Sequence, residues 1–338
     1  MVDYSSTQNQ IFHNQSYNFA QQNMLPKSYY LKTDFLKSND SVSISSNQKK
    51  SKKKHLFYTI AVIATLALAY TFGIRKLESK FFKDIAKKIK PEEIYLPELK
   101  NITKELILKS KKGNKINVWD INPNNCDKYI INCNGIDAGI QSQELILERA
   151  KKYNYGFIEF NYCGQGSSTG KFNQKGCYES LETVIDYLKS KGISNDNIVL
   201  VGHSMGSGVA CDYAKNNKVR GLVLIQPFDQ FKNAMKNNVL KVDFLPKFIK
   251  KIIQKIPNWM IPIKNEFNNL KALNQIKTKT LLITSKDDNV VNCNLTRNLY
   301  EKTKGIGDKK ILEFENGGHS ITEEKEKAYF QFINELFQ

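Results

Sequence analysis

Residues 197–210 read NIVLVGHSMGSGVA, a run of aliphatic and β-branched residues followed directly by glycines and other small residues. The first part predicts a buried strand and the second part the beginning of a helix. Ser204 stands at the junction, between Gly202 and Gly206. A serine on such a strand-to-helix turn needs a strained backbone, and flanking glycines keep side chains out of the turn. The stretch predicts a nucleophilic serine in an α/β domain; the alternative is a glycine-rich turn of a nucleotide-binding domain.

The alternation of strands and helices extends through the chain from about residue 105. Short apolar runs alternate with segments of helical length, which is typical of a mostly parallel sheet with helices on both faces. The predicted strands are 129–133, 156–161, 198–201, 221–225, 280–284 and 310–314, and the predicted helices include 142–153, 177–191 and 205–216.

A serine hydroxyl is a weak nucleophile, so it requires a base and an acid that orients the base. His319 lies in a glycine-containing loop after the last predicted strand. Of the four histidines it alone is placed to act as the base, because His13 and His55 lie upstream of the domain and His203 belongs to the serine turn. The acid follows the strand 280–284, where two adjacent aspartates, at 287 and 288, are both candidates.

From about residue 110 to the end, the chain resembles the α/β-hydrolase superfamily. The loop NYCGQGSSTG at 161–170 is similar to the family's Tyr-Arg-Gly-x-Gly-x-Ser-x-Gly loop, with Cys163 in place of the arginine. The segment SKDDNVV at 285–291 is similar to the family pattern Gly-x-x-Asp-x-Val-Val, which selects Asp288 as the acid over Asp287. The resemblance implies an α/β-hydrolase fold.

The resemblance also implies the roles of the site residues. Ser204, Asp288 and His319 would form the catalytic triad. The oxyanion hole would consist of two backbone N–H groups, one from Met205 after the nucleophile. The other follows strand 129–133, where Asn-Gly replaces the family's His-Gly, and the predicted donor is Ile136, with Gly135 as the alternative. This chemistry requires no metal and no cofactor.

Upstream of the domain, residues 56–74 read LFYTIAVIATLALAYTFGI and carry no charge. A helix of this length covers about 28 Å, close to the thickness of the hydrocarbon core of a bilayer. Aromatic residues lie near both ends of the run, as at a membrane interface. The run therefore predicts a single transmembrane helix, with a buried core helix as the alternative.

The remaining N-terminal segments are assigned by composition. Residues 1–48 are rich in Asn, Gln and Ser and predict a disordered tail. A basic juxtamembrane cluster occupies 49–55, and a basic linker occupies 75–104. The hydrolase domain is then predicted at 105–338.

A cap insert is predicted within the domain at about 228–276. Inside it, residues 244–256 (FLPKFIKKIIQKI) place apolar side chains on one half of a helix and lysines on the other. Two interpretations stay open: a cap helix packed on the domain, and a basic helix that lies on the membrane or covers an acyl pocket.

Charge and cysteine content restrict the partners and the compartment. The chain has 51 Lys+Arg against 33 Asp+Glu, a net charge of +18, which suits an anionic membrane or nucleic acid. The basic residues are spread along the chain and many flank the apolar run, so we predict a membrane partner and no nucleic acid. Six cysteines without Cys-x-x-Cys spacing favour free thiols, and hence a domain on the cytosolic side.

Together these features predict a membrane-anchored, single-pass serine hydrolase. It would cleave a carboxylic ester or thioester, with lipids and lipidated molecules among the candidate substrates, through an acyl-enzyme on Ser204. The alternatives are a catalytically silent membrane adaptor on a hydrolase scaffold, and a peptidase.

Overall fold

The computed structural model describes residues 40–240, 247–305 and 307–338. Within these ranges eight strands form one sheet: β1 (Thr103–Lys109), β2 (Lys115–Ile121), β3 (Tyr129–Cys133), β4 (Gly156–Phe160), β5 (Ile198–His203), β6 (Gly221–Ile225), β7 (Thr280–Ser285) and β8 (Lys309–Phe314). Their order across the sheet is β1-β2-β4-β3-β5-β6-β7-β8. Strand β2 pairs antiparallel with β1 and with β4, and the other pairs are parallel. The predicted mostly parallel sheet is confirmed.

All six predicted strands are present, and β1 and β2 are additional. Strand β1 lies at the sheet edge and exposes much of its surface, so its sequence has no continuous apolar run. Strand β2 is buried but contains Asn117 and Asp120, which interrupt its apolar pattern. Asp120 accepts a hydrogen bond from the Tyr187 hydroxyl at 2.7 Å and pairs with Lys191 at 2.8 Å. A strand whose polar side chains find buried partners is hard to recognise from periodicity.

Helices cover both faces of the sheet, and the predicted helices are confirmed to within a few residues. The helices in the described ranges are α1 (Asp40–Ala86), α2 (Pro97–Ile102), α3 (Gln143–Lys152), α4 (Gln174–Ser190), α5 (Met205–Ala214), α6 (Phe231–Leu240), α7 (Lys247–Lys255), α8 (Asn269–Leu273), α9 (Cys293–Thr303) and α10 (Glu323–Phe337). Buried residues of α4, α5, α8 and α9 pack on one face of the sheet, and those of α3 and α10 on the other. Of the predicted cap insert, residues 241–246 lie outside the described ranges.

The chain divides into two compact units, Met1–Ala61 and Val62–Gln338. Most of the tail predicted to be disordered lies outside the described residues, but its last part, from Asp40, is already helical. The basic cluster at 49–55 is also helical. Once a helix has formed, each added residue gains one backbone hydrogen bond, so the polar residues before the apolar run can extend it.

Helix α1 contains the predicted membrane span. Within Leu56–Ala86, a window of 18 residues has a mean hydropathy of 1.8, and no residue of that window is buried. Among the described residues, α1 is the one helix that is long and apolar enough to cross a bilayer.

Residues 75–104, predicted to be a linker, are instead part of the hydrolase fold. Helix α1 continues to Ala86, and Phe82 is only 1% exposed. The Phe82 ring lies 5.4 Å from that of Phe172 and 5.9 Å from that of Phe231, measured between centroids. The linker prediction rested on the many lysines of this segment. The lysines in its helical part lie on one side of the helix, and the apolar face that remains packs in the core.

Candidate active site

Ser204 lies at the turn between β5 and α5, with φ 52° and ψ −119°. Residues other than glycine rarely adopt a positive φ, and such strain persists only where surrounding contacts impose it. Two hydrogen bonds do so here. The Ser204 backbone N–H donates to the carbonyl of Ile225 at 2.8 Å, and the Ser207 hydroxyl donates to the carbonyl of Ser204 at 2.6 Å. The predicted strained serine turn is therefore present.

The two glycines of the motif permit a close approach of backbone segments. A Cβ atom on Gly206 would lie 1.9 Å from the carbonyl oxygen of Cys133, and one on Gly202 would lie 2.7 Å from the carbonyl oxygen of Gly206. Neither position has room for a side chain. The end of β3 is thereby packed directly against the start of α5.

Asp288 and His319 are joined by a hydrogen bond of 2.8 Å between Oδ2 and Nδ1. The second carboxylate oxygen, Oδ1, accepts hydrogen bonds from the backbone N–H groups of Val290 at 2.8 Å and Val291 at 2.9 Å. Burial raises the pKa of Asp288, but the bonds from His319 and the two backbone groups outweigh it, so its pKa lies below the ordinary value. A buried carboxylate that stays ionised can hold the imidazole in one orientation.

Asp287 makes different contacts from those of Asp288. Its carboxylate accepts hydrogen bonds from the backbone N–H of Gly317 at 3.1 Å and of Gly318 at 2.8 Å. It therefore holds the loop before His319, whereas Asp288 holds the imidazole itself. The geometry pairs His319 with Asp288, the aspartate that the family pattern selects, and the catalytic role of the pair stays a prediction.

The carbonyl groups of the same loop are held by Lys325, on α10. Its Nζ donates to the carbonyls of Gly317 at 3.0 Å, Gly318 at 2.9 Å and Ser320 at 2.7 Å. Gln226 donates a further hydrogen bond to the Gly318 carbonyl, at 2.5 Å. Lys325 is fully buried, and burial lowers its pKa. Sequence reasoning missed this lysine because its segment, TEEKEK, looks like an ordinary charged helix start.

Ser204 is brought to this pair through its neighbour His203. The Nε2–H of His203 donates to the carbonyl oxygen of His319 at 2.8 Å, and the two rings lie 4.9 Å apart. Among the described contacts there is no hydrogen bond between Ser204 Oγ and the His319 ring. In enzymes without substrate such bonds are often long and tighten on binding. The three predicted residues thus lie at the carboxyl ends of β5, β7 and β8.

The loop after β3 also reaches the serine. A Cβ atom on Gly135 would lie 3.5 Å from Nδ1 of His203 and 3.7 Å from Cβ of Ser204. Met205 is the first residue of α5, where backbone N–H groups have no partner within the helix. The predicted donors, Met205 and Ile136, therefore belong to the two segments that meet at Ser204, and their role stays a prediction.

A buried polar network supports this loop, and the sequence did not reveal it. The Asn134 side-chain amide donates to the carbonyl of Gly139 at 2.8 Å, and the backbone carbonyl of Asn134 accepts from the Tyr162 hydroxyl at 3.1 Å. Glu159 accepts hydrogen bonds from the side-chain amides of Asn132 and Asn134. Burial raises the pKa of Glu159 to about 7.

Comparisons with known proteins agree with this architecture. Residues 130–260 match the family model for the alpha/beta hydrolase fold. A protein of Acanthamoeba polyphaga mimivirus, whose name assigns it to the alpha/beta hydrolases, is 26% identical over 229 residues, which cover 65% of this chain and 78% of that protein. A lysophosphatidylserine lipase of Rattus norvegicus is 30% identical over 155 residues, covering 43% of this chain and 37% of the lipase.

Solved structures show the same fold. An esterase of Pyrococcus furiosus superposes with a TM-score of 0.58 at 19% identity, covering 74% of this chain and 98% of the esterase. An alpha-beta hydrolase of Vibrio vulnificus superposes with a TM-score of 0.58 at 18% identity, covering 77% of this chain and 92% of that one. The chain therefore has the α/β-hydrolase fold, and its family match and relatives support a hydrolase.

Proposed function

We propose that the protein is a membrane-anchored serine hydrolase that cleaves a carboxylic ester or thioester. The observation that carries this proposal is the Asp288–His319 hydrogen bond beside a serine with a strained backbone. This combination of nucleophile, base and orienting acid is the arrangement that acyl transfer requires.

The proposed reaction uses only groups of the chain and water. Ser204 Oγ attacks the acyl carbon while Nε2 of His319 takes the hydroxyl proton, and Asp288 stabilises the imidazolium. The backbone N–H groups of Met205 and Ile136 hold the negative charge that develops on the carbonyl oxygen. His319 then protonates the leaving group. Water, deprotonated by the same imidazole, releases the acid and restores Ser204.

An ester of lipid character is the substrate class that the comparisons favour. One relative is a lysophosphatidylserine lipase, and the solved structures of the same fold include esterases. The apolar run in α1 would keep the enzyme where such substrates reside.

We further propose that the hydrolase domain lies on the cytosolic side. All six cysteines are free, and five of them are buried. Asn101 and Asn294 are exposed and stand in Asn-x-Thr sequons. In a eukaryotic host neither should carry a glycan, and a mass shift on glycosidase treatment would place the domain in the lumen.

A fluorophosphonate probe tests the chemistry directly. We expect wild-type protein to be labelled, Ser204→Ala to be unlabelled, and the control Ser190→Ala, an exposed serine on α4, to be labelled normally. A folded wild type that stays unlabelled and turns over no ester would favour the silent adaptor. Turnover of peptides in preference to esters and thioesters would favour the peptidase.

A further inference from the structure

Four large apolar side chains of the cap insert are exposed, and together we call them the cap patch. Phe248 and Ile252 lie one helical turn apart on α7 and are 63% and 55% exposed; Trp259 and Met260 are 79% and 46% exposed. Phe248 and Ile252 are therefore not packed on the domain. Large apolar side chains exposed along one short segment of chain in this way are typical of an interaction surface.

One end of the cap patch, at Trp259 and Met260, lies near the end of the apolar run in α1. Nε of Arg75, the residue that follows the run, donates to the carbonyl of Pro262 at 3.3 Å. Met260 is two residues from Pro262, so their Cα atoms are at most about 8 Å apart. If the run spans a bilayer, Arg75 lies at the interface, and Trp259 and Met260 lie beside it.

This connection is held by several further hydrogen bonds and leads into the core. The Glu78 carboxylate accepts hydrogen bonds from the backbone N–H groups of Lys264 and Asn265, both at 2.7 Å. Asn265 is 7% exposed, and its side-chain oxygen accepts from the backbone N–H of Gln174 at 2.7 Å. One turn further along α1, Phe82 packs in the core. The cap segment, α1 and the hydrolase core are thus tied together next to Arg75.

We propose that the cap patch inserts into the interface of the bilayer that α1 spans. The inference rests on the membrane anchoring in the proposed function. The chemistry of the segment fits a lipid surface: a tryptophan and aliphatic residues would enter the acyl boundary, and the exposed Lys247, Lys251 and Lys255 of α7 would meet anionic headgroups. The span provides residence in the membrane, and the cap patch sets the orientation of the domain on it.

The two tryptophans allow a direct test. Trp119 is fully buried and Trp259 is 79% exposed, so fluorescence that is lost in Trp259→Phe reports on the cap patch. Full-length wild type and Trp259→Phe are reconstituted in vesicles of neutral and anionic lipid, with the hydrolase domain outside. We expect the Trp259 signal to be shielded from aqueous iodide and quenched by lipids brominated in the upper acyl chain.

Free access of iodide to Trp259, with no quenching by brominated lipid, would overturn the inference. Alkaline carbonate extraction of the same vesicles separates this failure from that of the anchor. Protein that resists extraction while Trp259 remains in water retains the span but refutes the docking. Protein that is extracted refutes the anchoring on which the inference rests. Because none of these readouts needs catalysis, probe labelling of Ser204 stays an independent test.

Activity provides a second measurement. The double variant Trp259→Asp, Met260→Asp should slow hydrolysis of a long-chain lysophospholipid in vesicles by about tenfold, since apolar anchors at the interface are replaced by charge. Turnover of a short soluble ester should be unchanged. Ile107→Asp is the matched control, because Ile107 is 55% exposed on β1, outside the cap patch. Equal vesicle activity of the double variant and the control would contradict the proposal.

Discussion

His203 Nε2 donates a hydrogen bond to the carbonyl oxygen of His319 across 2.8 Å. Since a carbonyl only accepts, the proton of the neutral His203 ring lies on Nε2. Burial, and then the neighbouring charge of His319, lower the pKa of His203 to about 4. A residue of the serine turn thus fixes the backbone of the proposed base without bringing a second positive charge to the site.

This neutral histidine makes stability depend on pH. Below about 6.5 the unfolded chain binds a proton at His203 that the folded chain does not bind until about pH 4, so stability falls as the pH falls through this range. Between pH 7 and pH 4.5 we expect wild type to lose about 2–3 kcal/mol more than His203→Asn, measured by urea unfolding in detergent.

The comparison with His203→Asn is needed because Glu159 acts in the opposite direction. The pKa of Glu159 is raised to about 7 in the folded chain, so the stability that Glu159 contributes is lost as the pH rises from the ordinary pKa of a glutamate towards 7. If the free energy of unfolding changed with pH in the same way for wild type and His203→Asn, the pKa of His203 would not be lowered in the folded chain.

The two adjacent aspartates should differ sharply in their effect on rate. Asp288→Asn removes the carboxylate that orients His319 and should lower kcat for a soluble ester by about 10³- to 10⁴-fold. Asp287→Asn keeps the imidazole partner and loses only charged bonds to the loop, so a loss of about tenfold is expected. Steady-state kinetics on both variants measure the difference, and the reverse order would assign the acid to Asp287.

Lys325 should act as a positioning residue. Lys325→Met removes its hydrogen bonds to the carbonyls of Gly317, Gly318 and Ser320, of which Gly318 keeps the bond from Gln226. We expect kcat to fall by about 10- to 100-fold with little change in KM. Lys327→Met, on the exposed side of the same helix, is the control and should behave as wild type. A variant with lower thermal stability but unchanged kcat would mean that Lys325 serves folding alone.

The lysines of α7 should matter only at an anionic surface. Reversal of Lys247, Lys250, Lys251 and Lys255 to Glu should slow hydrolysis of long-chain substrate in anionic vesicles, because each lysine near the surface contributes about 1 kcal/mol of attraction. Turnover of a short soluble ester should hardly change. Equal losses on both substrates would point to a misfolded cap, and no loss on vesicles would mean that the lysines do not contact lipid.

Phe82 tests the attachment of α1 to the hydrolase core. Phe82→Ala should lower the free energy of unfolding by about 3–5 kcal/mol, as expected for a large buried ring. Leu77→Ala, on the same helix but 66% exposed, should change it by less than about 0.5 kcal/mol. Equal unfolding midpoints in detergent for the two variants would show that residues 75–104 are a linker after all.

The features of this protein that could be predicted from sequence are those that depend on residues close together in the chain. The apolar runs of β3 to β8 and the glycines around Ser204 are local patterns, because a buried strand and a tight turn each restrict the residues that form them. The charge-free run in α1 is local in the same sense. His319 could be selected because the chain has only four histidines.

The tertiary structure decided the pairings that link distant parts of the chain. Asp287 and Asp288 have the same chemistry; the family pattern favours Asp288, but the contact of its carboxylate with His319 depends on the path of the loop after β7. His203 and His319 are 116 positions apart, and Lys325 looks like any charged helix residue until three carbonyls surround it. Such contacts arise when the sheet brings the carboxyl ends of its strands to one edge. Local periodicity records whether a residue is buried, but not which partner it meets there.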